Sequence, residues 1–282
     1  MNNAVLIIVN YNDSENTINL INNVKSYKSI KKIVVVDNNS TDESIDNLRK
    51  LNIRKLHIIE SIHNNGYAMG LNMGAKYAME EYKNPILIFS NSDIVIESEN
   101  TIRNLIGNFK NDDIKVVMPK IKEKDNFSYG WKLTSPFQDL LMNIPGINRK
   151  IRKKYRYYEE EYFNTDTSIV DCIYGCFFLI EGEFLKKIGY FDENTFLYFE
   201  EYILGRKVKM NNKVSIVDNR EFVIHNHNVS IGNNVTNINK YKIYKKSQFY
   251  YERKYNNANA LIMFLFKVFY YINLIPYKIT KK

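Results

Sequence analysis

The stretch PILIFSNSDIVI, residues 85–96, sets a carboxylate inside an apolar run. Residues 86–89 are uncharged and apolar, which is typical of a strand buried on both faces. The segment SNSD has the composition of a turn, and IVI resumes the apolar run after it. We therefore expect the strand to end at Phe89 or Ser90. Asp93 would then lie in a turn at the carboxyl edge of a sheet.

The first 120 residues repeat this alternation of apolar strands with helical patterns. Strands are predicted at 4–10, 31–38, 56–61 and 85–90, and helices at 14–27, 40–51 and 65–81. Ser40 and Glu43 match a capping box at the start of the second helix. Strands rich in Val, Ile and Leu between helices predict an α/β fold, with a mostly parallel, Rossmann-like sheet covered by helices.

Polar residues follow three of these strands: Asn10-Tyr11-Asn12-Asp13, Asp37-Asn38-Asn39-Ser40 and Ser90-Asn91-Ser92-Asp93. Parallel sheets bind ligands at the carboxyl ends of their strands, so these segments are expected to converge on one crevice. The first of them lacks the glycine-rich turn of dinucleotide-binding folds, and no P-loop lysine pattern occurs. This disfavours dehydrogenases, P-loop enzymes and nucleotidyltransferases.

The rest of the chain is less regular. Residues 120–165 carry no clear pattern except the basic run RKIRKKYR at 149–156, which would bind a lipid diphosphate or form a solvated loop. Strands are expected at 170–180, 213–219 and 221–227, and helices at 181–189 and 199–210. Tyr129 and Trp131 would stack on a sugar ring or serve only in packing.

Composition narrows the classes of protein. Two cysteines, Cys172 and Cys176, are too few for a zinc site or a disulfide framework, so we expect buried thiols in a reduced cytosolic protein. The N-terminus lacks the basic flank and cleavage site of a secretory signal, and it is expected to form the first strand.

Charge is concentrated at the C-terminal end. Residues 236–282 have a net charge of +9, which equals that of the whole chain, so the remainder is neutral. The same segment contains the nearly apolar run ALIMFLFKVFYYINLIPY at 260–277. Three interpretations stay open: a helix lying on an anionic membrane surface, which we favour, a membrane span, and a helix packed on its own domain or a partner. No nucleic-acid partner is expected.

An aspartate just past a buried strand suits a divalent metal. Mg²⁺ or Mn²⁺ takes few protein ligands and binds mainly to phosphate oxygens, and it would neutralise charge on a departing diphosphate. The alternative for Asp93 is a turn-forming residue that caps the loop.

Seven segments together resemble the family 2 glycosyltransferases of the GT-A fold, across about residues 4–230. They are NYN at 10–12, VVVDNNSTD at 34–42, NNGYAMGLNMGAKYA at 64–78, NSD at 91–93, YGCFFLI at 174–180, GYFDENTFLYFEE at 189–201 and H-x-H-x-x-S at 225–230. A narrower resemblance is to enzymes that add rhamnose in bacterial capsule, O-antigen or exopolysaccharide assembly. The resemblance implies a nucleotide-sugar-binding half at 1–120 and an acceptor-binding and catalytic half at 121–235. The charge and apolar run described above predict a membrane-associating tail at 236–282.

The resemblance also assigns roles in binding a UDP- or dTDP-sugar donor. Asp37 would accept a hydrogen bond from the pyrimidine N3–H, or else only start a turn. Gly66, Gly70 and Gly74 share one helix face, where they would admit the nucleotide or only allow close packing. The full set of expected donor contacts is Asn10, Tyr11, Asn12, Asp37, Asn65, Gly66, Asn72, Asn91, Ser92 and Asp93.

For catalysis, the resemblance implies an inverting transfer with Mg²⁺ or Mn²⁺ as cofactor. Asp93 would hold the metal as the second residue of a D-x-D motif whose first position is Asn91 here. His225 matches the histidine near the metal or diphosphate, with a structural histidine as the alternative, and His227 is a weaker candidate. Glu201 matches the base, although it replaces the usual Asp and leaves Glu200 open.

The acceptor implied is a saccharide or lipid-linked saccharide, met at the inner face of the cell membrane by a peripheral cytoplasmic enzyme. A rival interpretation is a nucleotide-sugar-binding or scaffold protein that has lost catalysis. The departures at Asn91 and Glu201 motivate it.

Overall fold

A computed structural model describes residues 3–144, 148–226 and 237–279. Two residues of the H-x-H-x-x-S pattern, His227 and Ser230, lie outside this range. The strands are β1 Ala4–Asn10, β2 Ile30–Asp37, β3 Leu56–Glu60, β4 Ile86–Ser90, β5 Ile94–Val95, β6 Ile114–Glu123, β7 Asn126–Ser128, β8 Thr167–Val170, β9 Phe177–Glu181 and β10 Val214–His225.

The helices surround this sheet. They are α1 Ser14–Val24, α2 Ser44–Arg49, α3 Tyr67–Glu81, α4 Glu99–Gly107, α5 Pro136–Leu141, α6 Asn148–Arg156, α7 Gly182–Lys187, α8 Glu200–Met210, α9 Asn237–Lys254 and α10 Ala260–Ile279. Short 3-10 helices occupy Asn108–Lys110 and Glu160–Phe163.

One sheet runs through the described residues in the order β3-β2-β1-β4-β9-β6-β10-β5, with β7 on β6 and β8 on β10. The first four strands of this order are parallel, as the alternating pattern predicts. Strand β9 is antiparallel to β4 and β6 on either side of it, and β6 and β10 are parallel to each other. The sheet therefore has a parallel N-terminal half that continues into a mixed half.

The central strands are buried because helices cover both faces of the sheet. Every residue of β4 is buried, as are nearly all of those in β1. Helix α3 lies close to β1, since a Cβ added at Gly70 or Gly74 would come within 3.0 Å of Val9 or Ile7. Burying each Leu or Ile side chain stabilises the fold by about 1.5–3 kcal/mol. Close packing on the sheet therefore accounts for these two glycines.

The end of β4 follows the prediction. The strand stops at Ser90, residues 91–93 form the connection, and β5 begins at Ile94. Asp93 accordingly sits at the carboxyl edge of the sheet, in a turn between two apolar pieces.

Four local predictions are wrong. The capping box at 40–43 is absent, because the Ser40 hydroxyl bonds to Asp37 and α2 begins only at Ser44. The predicted strand 170–180 is interrupted: β8 ends at Val170 and β9 begins at Phe177. Between them, Cys172 forms an isolated antiparallel bridge with Trp131. The predicted strands 213–219 and 221–227 are one strand, β10, in which the polar residues between Asp218 and Phe222 form an irregularity against β6.

The fourth concerns the stretch 120–165, which was expected to be irregular. It contains part of β6, all of β7, and helices α5 and α6. The basic run at 149–156 is helical in α6, so the interpretation as a solvated loop is also wrong.

The C-terminal segment packs on the domain. Tyr251 of α9 is fully buried against Phe199 and Tyr202 at the start of α8. Helix α10 contacts α9 and α5, and it buries Phe266 and Leu274. One of the three interpretations was that this helix packs on the domain of the same chain. One face of α10 does so. No helix within the described ranges is both long and apolar enough to cross a bilayer.

Candidate active site

A cavity of about 1210 Å³ opens at the carboxyl edge of β4. Its walls come from eight parts of the chain: Tyr67 at the start of α3, the turn after β4, residues 127–131, residues 156–158, Phe163, residues 174–176, residues 197–202 and the end of β10. Five of the predicted site residues line it together: Asn91, Asp93, Glu200, Glu201 and His225. Positions up to 134 apart in the sequence therefore meet in one cavity.

Asp93 and His225 line one end of the cavity, and a third residue, Glu123, contacts His225. His225 Nε2 lies 3.2 Å from Asp93 Oδ1, and its Nδ1 lies 3.1 Å from Glu123 Oε1. Burial lowers the pKa of His225, but hydrogen bonding and charge from Asp93 and then Glu123 outweigh it, so the pKa is raised. Sequence reasoning missed Glu123, whose only signal is a carboxylate at the end of a strand.

The Asp93 side chain suits a metal ligand. It is 92% buried, and its Oδ1 atom faces His225 Nε2 at 3.2 Å. Within the described residues no group of three or more His, Cys, Asp or Glu side chains would hold a metal ion by itself. One carboxylate that leaves most positions to phosphate oxygens is nevertheless a common arrangement for Mg²⁺ and related cations. The residues present therefore fit a metal that arrives with a diphosphate.

The turn around Asp93 is held by neighbours from other elements. Asn91 Oδ1 accepts a hydrogen bond of 3.0 Å from the Tyr67 hydroxyl, and Asn91 N donates to Cys176 O at 2.8 Å. The Ser92 hydroxyl donates to Asp13 Oδ2 at 2.6 Å. Burial raises the pKa of Asp13, and the charge of Asp93 adds to this effect. Ser92 consequently faces Asp13 and does not line the cavity.

Glu200 and Glu201 begin α8, directly after two residues in the left-handed region, Tyr198 (φ 73°) and Phe199 (φ 75°). Non-glycine residues adopt this backbone at an energetic cost, which is often met at functional sites. Here it turns the chain sharply, so that both carboxylates enter the cavity at a helix N-terminus. A helix N-terminus stabilises negative charge.

The two carboxylates are electrostatically coupled. Burial, and then the charge of Glu201, raise the pKa of Glu200 to about 8, and its Oε1 has no hydrogen-bond partner in the described chain. Burial also raises the pKa of Glu201. The Glu201 carboxylate lies over Gly175, where an added Cβ would be 2.3 Å from Oε1. A carboxylate with a raised pKa beside open space is suited to accept a proton from a bound hydroxyl.

Aromatic side chains form another part of the cavity wall. Trp131 meets Tyr174 edge to face at 5.9 Å between ring centroids and packs on Tyr202. Tyr129 stacks on Phe163 at 4.0 Å. Both Tyr129 and Trp131 also line the cavity, and the Trp131 Nε1 hydrogen is unpaired within the described residues. These rings therefore pack on each other and still face the space where an acceptor would bind.

The predicted donor contacts at the ends of β1 and β2 form a separate polar cluster that does not line this cavity. Asn10 Nδ2 donates to Asp37 Oδ1 at 2.8 Å, and the Ser40 amide and hydroxyl donate to both oxygens of Asp37. Asn12 exchanges hydrogen bonds with Thr41. Tyr11 is partly exposed beside them. The carboxylate of Asp37 is thus anchored in its turn, and the contact with a pyrimidine base stays a prediction.

Three other predicted donor contacts lie away from the cavity. Asn72 is buried, and its amide bonds to both backbone groups of Phe191. Gly66 has a φ of 102°, and an added Cβ would lie 2.4 Å from the Phe196 carbonyl oxygen. Asn65 is exposed. Gly66 and Asn72 thus join α3 to the 191–196 loop, and their role in donor binding stays a prediction.

Comparison with known proteins agrees with this geometry. Residues 5–189 match the model of the family described as glycosyl transferase family 2. The match covers more than half of the chain, so the protein belongs to this family.

Over 202 residues the chain is 28% identical to the low-salt glycan biosynthesis hexosyltransferase Agl10 of Haloferax volcanii, covering 70% of this chain and 58% of the relative. The chain thus spans little more than half of that relative's length.

Several solved structures share the fold. GalNAc-T7 with UDP, GalNAc and Mn²⁺ superposes with a TM-score of 0.65 at 14% identity, over 100% of this chain and 58% of that one. The mannosyltransferase PcManGT from Pyrobaculum calidifontis, with GDP-Man and Mn²⁺, gives 0.59 at 14% identity, over 96% and 70%. TarS of S. aureus gives 0.57 at 17% identity, over 92% and 41%. At these identities the likeness concerns the fold, which is the GT-A fold predicted from the sequence.

Proposed function

We propose that this protein is an inverting glycosyltransferase that moves a sugar from a nucleotide-diphosphate sugar to a hydroxyl of a saccharide acceptor. The observation that carries the proposal is that one cavity holds both the Asp93–His225 pair and the Glu200–Glu201 pair. A single displacement needs these two functions on opposite sides of the reacting carbon: a site for the leaving diphosphate and a base for the incoming hydroxyl.

Glu201 is the proposed base. It deprotonates the acceptor hydroxyl as the oxygen attacks the anomeric carbon, and the bond to the diphosphate breaks on the other side. Glu200, buried beside it with a pKa of about 8, keeps a proton at neutral pH and limits the negative charge next to the base. The aromatic wall of Tyr129 and Trp131 would pack against the acceptor sugar.

Asp93 would hold the metal, with His225 as its neighbour, and Mg²⁺ or Mn²⁺ bound there would neutralise charge on the departing diphosphate. The burial of the Asp93 carboxylate in the cavity wall, at the carboxyl edge of the sheet, supports this assignment. The presence of Mn²⁺ with UDP or GDP-Man in two structures of the same fold also supports it. Asn91 keeps an oxygen for the site and contributes no charge.

The nucleotide would be UDP or dTDP, with dTDP-rhamnose among the donors, and Asp37 would contact its base. A lipid-linked acceptor in bacterial capsule, O-antigen or exopolysaccharide assembly would place the enzyme on the inner face of the cell membrane. The apolar outer face of α10 supports that location, since five of its large side chains are exposed: Leu261, Phe264, Tyr271, Ile272 and Ile275.

Donor hydrolysis tests the proposal. The full chain is incubated with a panel of UDP-, dTDP- and GDP-sugars, with Mg²⁺, Mn²⁺ or EDTA, and release of nucleoside diphosphate is measured. We expect release from at least one donor, with metal, and its loss in Asp93→Ala. If no donor is hydrolysed and Glu201→Gln has no effect on transfer or hydrolysis, the enzyme proposal is wrong. A protein that bound donors under these conditions would then be the catalytically impaired binding protein that Asn91 and Glu201 suggest.

A further inference from the structure

A second, smaller cavity of about 230 Å³ lies among helices α5, α6, α9 and α10, outside the main cavity. Three cationic side chains line it: Arg152 and Arg156 from α6, and Lys245 from α9. One carboxylate, that of Asp139 in α5, also lines it. The other lining residues are Met142, Asn143, Ile144, Tyr241, Tyr244, Gln248 and Asn273.

Two of these cations are removed from water. The side chain of Arg156 is only 13% exposed, and its Nε atom has no hydrogen-bond partner within the described residues. Lys245 is 5% exposed and donates to the side-chain oxygens of Asn143 and Gln248, which are neutral. Lys245 thus has neutral hydrogen-bond partners, and Arg156 keeps one unused donor although it also contacts a carboxylate. Burying such cations is costly, which indicates that an anion completes the site.

The acids nearby do not balance the cations. Asp139 contacts Arg156 at 3.4 Å, and Glu252 lies next to Asp139 behind the cavity. Burial, and then the charge of Asp139, raise the pKa of Glu252 to about 9, so the two carboxyls carry about one negative charge between them at neutral pH. Arg206 adds another positive charge at Asn256 and Tyr251. Positive charge therefore remains in excess around the cavity.

We propose that this cavity binds a phosphate or diphosphate group. Arginine guanidinium groups bind phosphoryl oxygens through paired N–H donors, and a lysine adds a point charge. The lining also includes amide and phenol groups, which can donate hydrogen bonds to further phosphoryl oxygens.

Arg156 also lines the main cavity, so the two sites share one side chain. A phosphoryl group bound by Arg156 would be adjacent to the wall where the acceptor sugar is proposed to bind. On the far side, Asn273 belongs to α10, the helix with the exposed apolar face. This arrangement suits the diphosphate of a lipid-linked acceptor, an identification that rests on the proposed function. The phosphoryl site itself does not depend on it.

The test is a binding measurement by isothermal titration calorimetry on the full chain. EDTA is present throughout, so that no metal recruits diphosphate to Asp93. One arm uses inorganic pyrophosphate and the other uses farnesyl diphosphate, a short isoprenoid diphosphate. Arg152→Gln is the test variant because Arg152 lies on the exposed side of α6 and its loss leaves the core intact. Lys153→Gln is the matched control, an exposed cation of the same helix that does not line the cavity.

We expect Arg152→Gln to weaken binding about tenfold, the effect of losing a hydrogen bond to a charged group, and Lys153→Gln to change it less than twofold. Binding of pyrophosphate would show that the site binds a soluble diphosphate without any lipid chain. Binding of farnesyl diphosphate alone identifies a lipid headgroup. No saturable binding of either probe at millimolar concentration, or equal binding by both variants, overturns the site.

Glu201→Gln separates this inference from the proposed function, because it should abolish transfer and leave binding of both probes unchanged. A protein without transferase activity that still binds through Arg152 would refute the proposed function alone.

Discussion

At the scale of single residues, the position of the Glu201 carboxylate depends on the missing side chain at Gly175. A Cβ there would be 2.3 Å from Glu201 Oε1 and 2.9 Å from its carboxyl carbon, so the carboxylate must move if alanine is introduced. Displacing a reacting group by about 1 Å can cost about 10²-fold in rate.

We therefore expect Gly175→Ala to lower kcat by about 10²-fold with little change in the melting temperature, as measured by steady-state kinetics and calorimetry. Gly107→Ala is the control, since nothing lies within 4 Å of an added Cβ at that position in α4. Equal activity in the two variants would mean that the position of Glu201 does not limit the rate.

The proposed base also has a pH signature. Burial raises the pKa of Glu201, and a base must be unprotonated to work. Activity is therefore lost on acidification at a pH above that of an ordinary glutamate, so the acidic limb of kcat/KM should lie above about 4.5. We expect Glu201→Gln to lower kcat by about 10²–10⁴-fold at every pH, the usual contribution of a general base. A variant that keeps its rate would assign the base to Glu200.

Residues that depend on the end of a single strand could be predicted from the sequence, and their distant partners could not. Asp93 follows an apolar run, and its place in the turn was predicted from that pattern alone. Glu123 and Tyr67 reach the same turn region from β6 and α3, through contacts with His225 and Asn91. Nothing in their local sequence marks these contacts, because the sheet order that creates them is a property of the whole chain.

At the scale of elements, α9 is attached to the domain through a buried pair of carboxyl groups. Glu252 of α9 is fully buried beside Asp139 of α5, and Asn256 donates to both side chains. The pKa of Glu252 is raised from 4.5 to about 9 in the folded protein. Between these values the folded state holds a proton that the unfolded chain has released, so stability falls as the pH rises through this window.

We expect Glu252→Gln to remove this loss, because glutamine stays neutral and keeps one oxygen and one N–H donor for Asn256 and Asp139. The melting temperature of the variant should match the wild type near pH 5 and exceed it at pH 9, as measured by scanning calorimetry. Glu97→Gln, at an exposed position, should show no such pH-dependent gain. If the wild type is as stable at pH 9 as at pH 5, the carboxyl pair does not share a proton.

Helices and strands were predicted correctly where the apolar pattern of the local sequence was clear. They were not predicted where their position depends on packing against distant parts of the chain. The four strands of the parallel half each contain an apolar run, and the sequence located each strand to within one residue at either end. The antiparallel placement of β9 and the docking of α9 depend on pairing with distant partners. Residues 236–282 showed a basic composition, yet Tyr251 and Glu252 are among the most buried side chains. Composition alone could not show that the first part of this segment belongs to the core.

At the scale of the whole molecule, three features are connected: the main cavity, the smaller cavity lined by Arg152, Arg156 and Lys245, and the outer face of α10. Arg156 joins the first two, and Asn273 of α10 lines the second. On the other side of α10, Leu261, Phe264 and Tyr271 are between 61% and 66% exposed at helical spacing. An apolar helix face of this kind binds in the interface of a bilayer, and nearby lysines add attraction to anionic lipids.

We expect the full chain to sediment with vesicles of phosphatidylglycerol and phosphatidylcholine, and more weakly with phosphatidylcholine alone. Leu261→Ser combined with Phe264→Ser should lower the partition coefficient by at least about tenfold, because each side chain contributes more than 1 kcal/mol when buried in lipid. Ile62→Ser changes an apolar residue after β3 that is 83% exposed; it is the control and should bind like the wild type. Equal partitioning of both variants would assign the exposed face of α10 to a protein partner, and it would leave the membrane location without structural support.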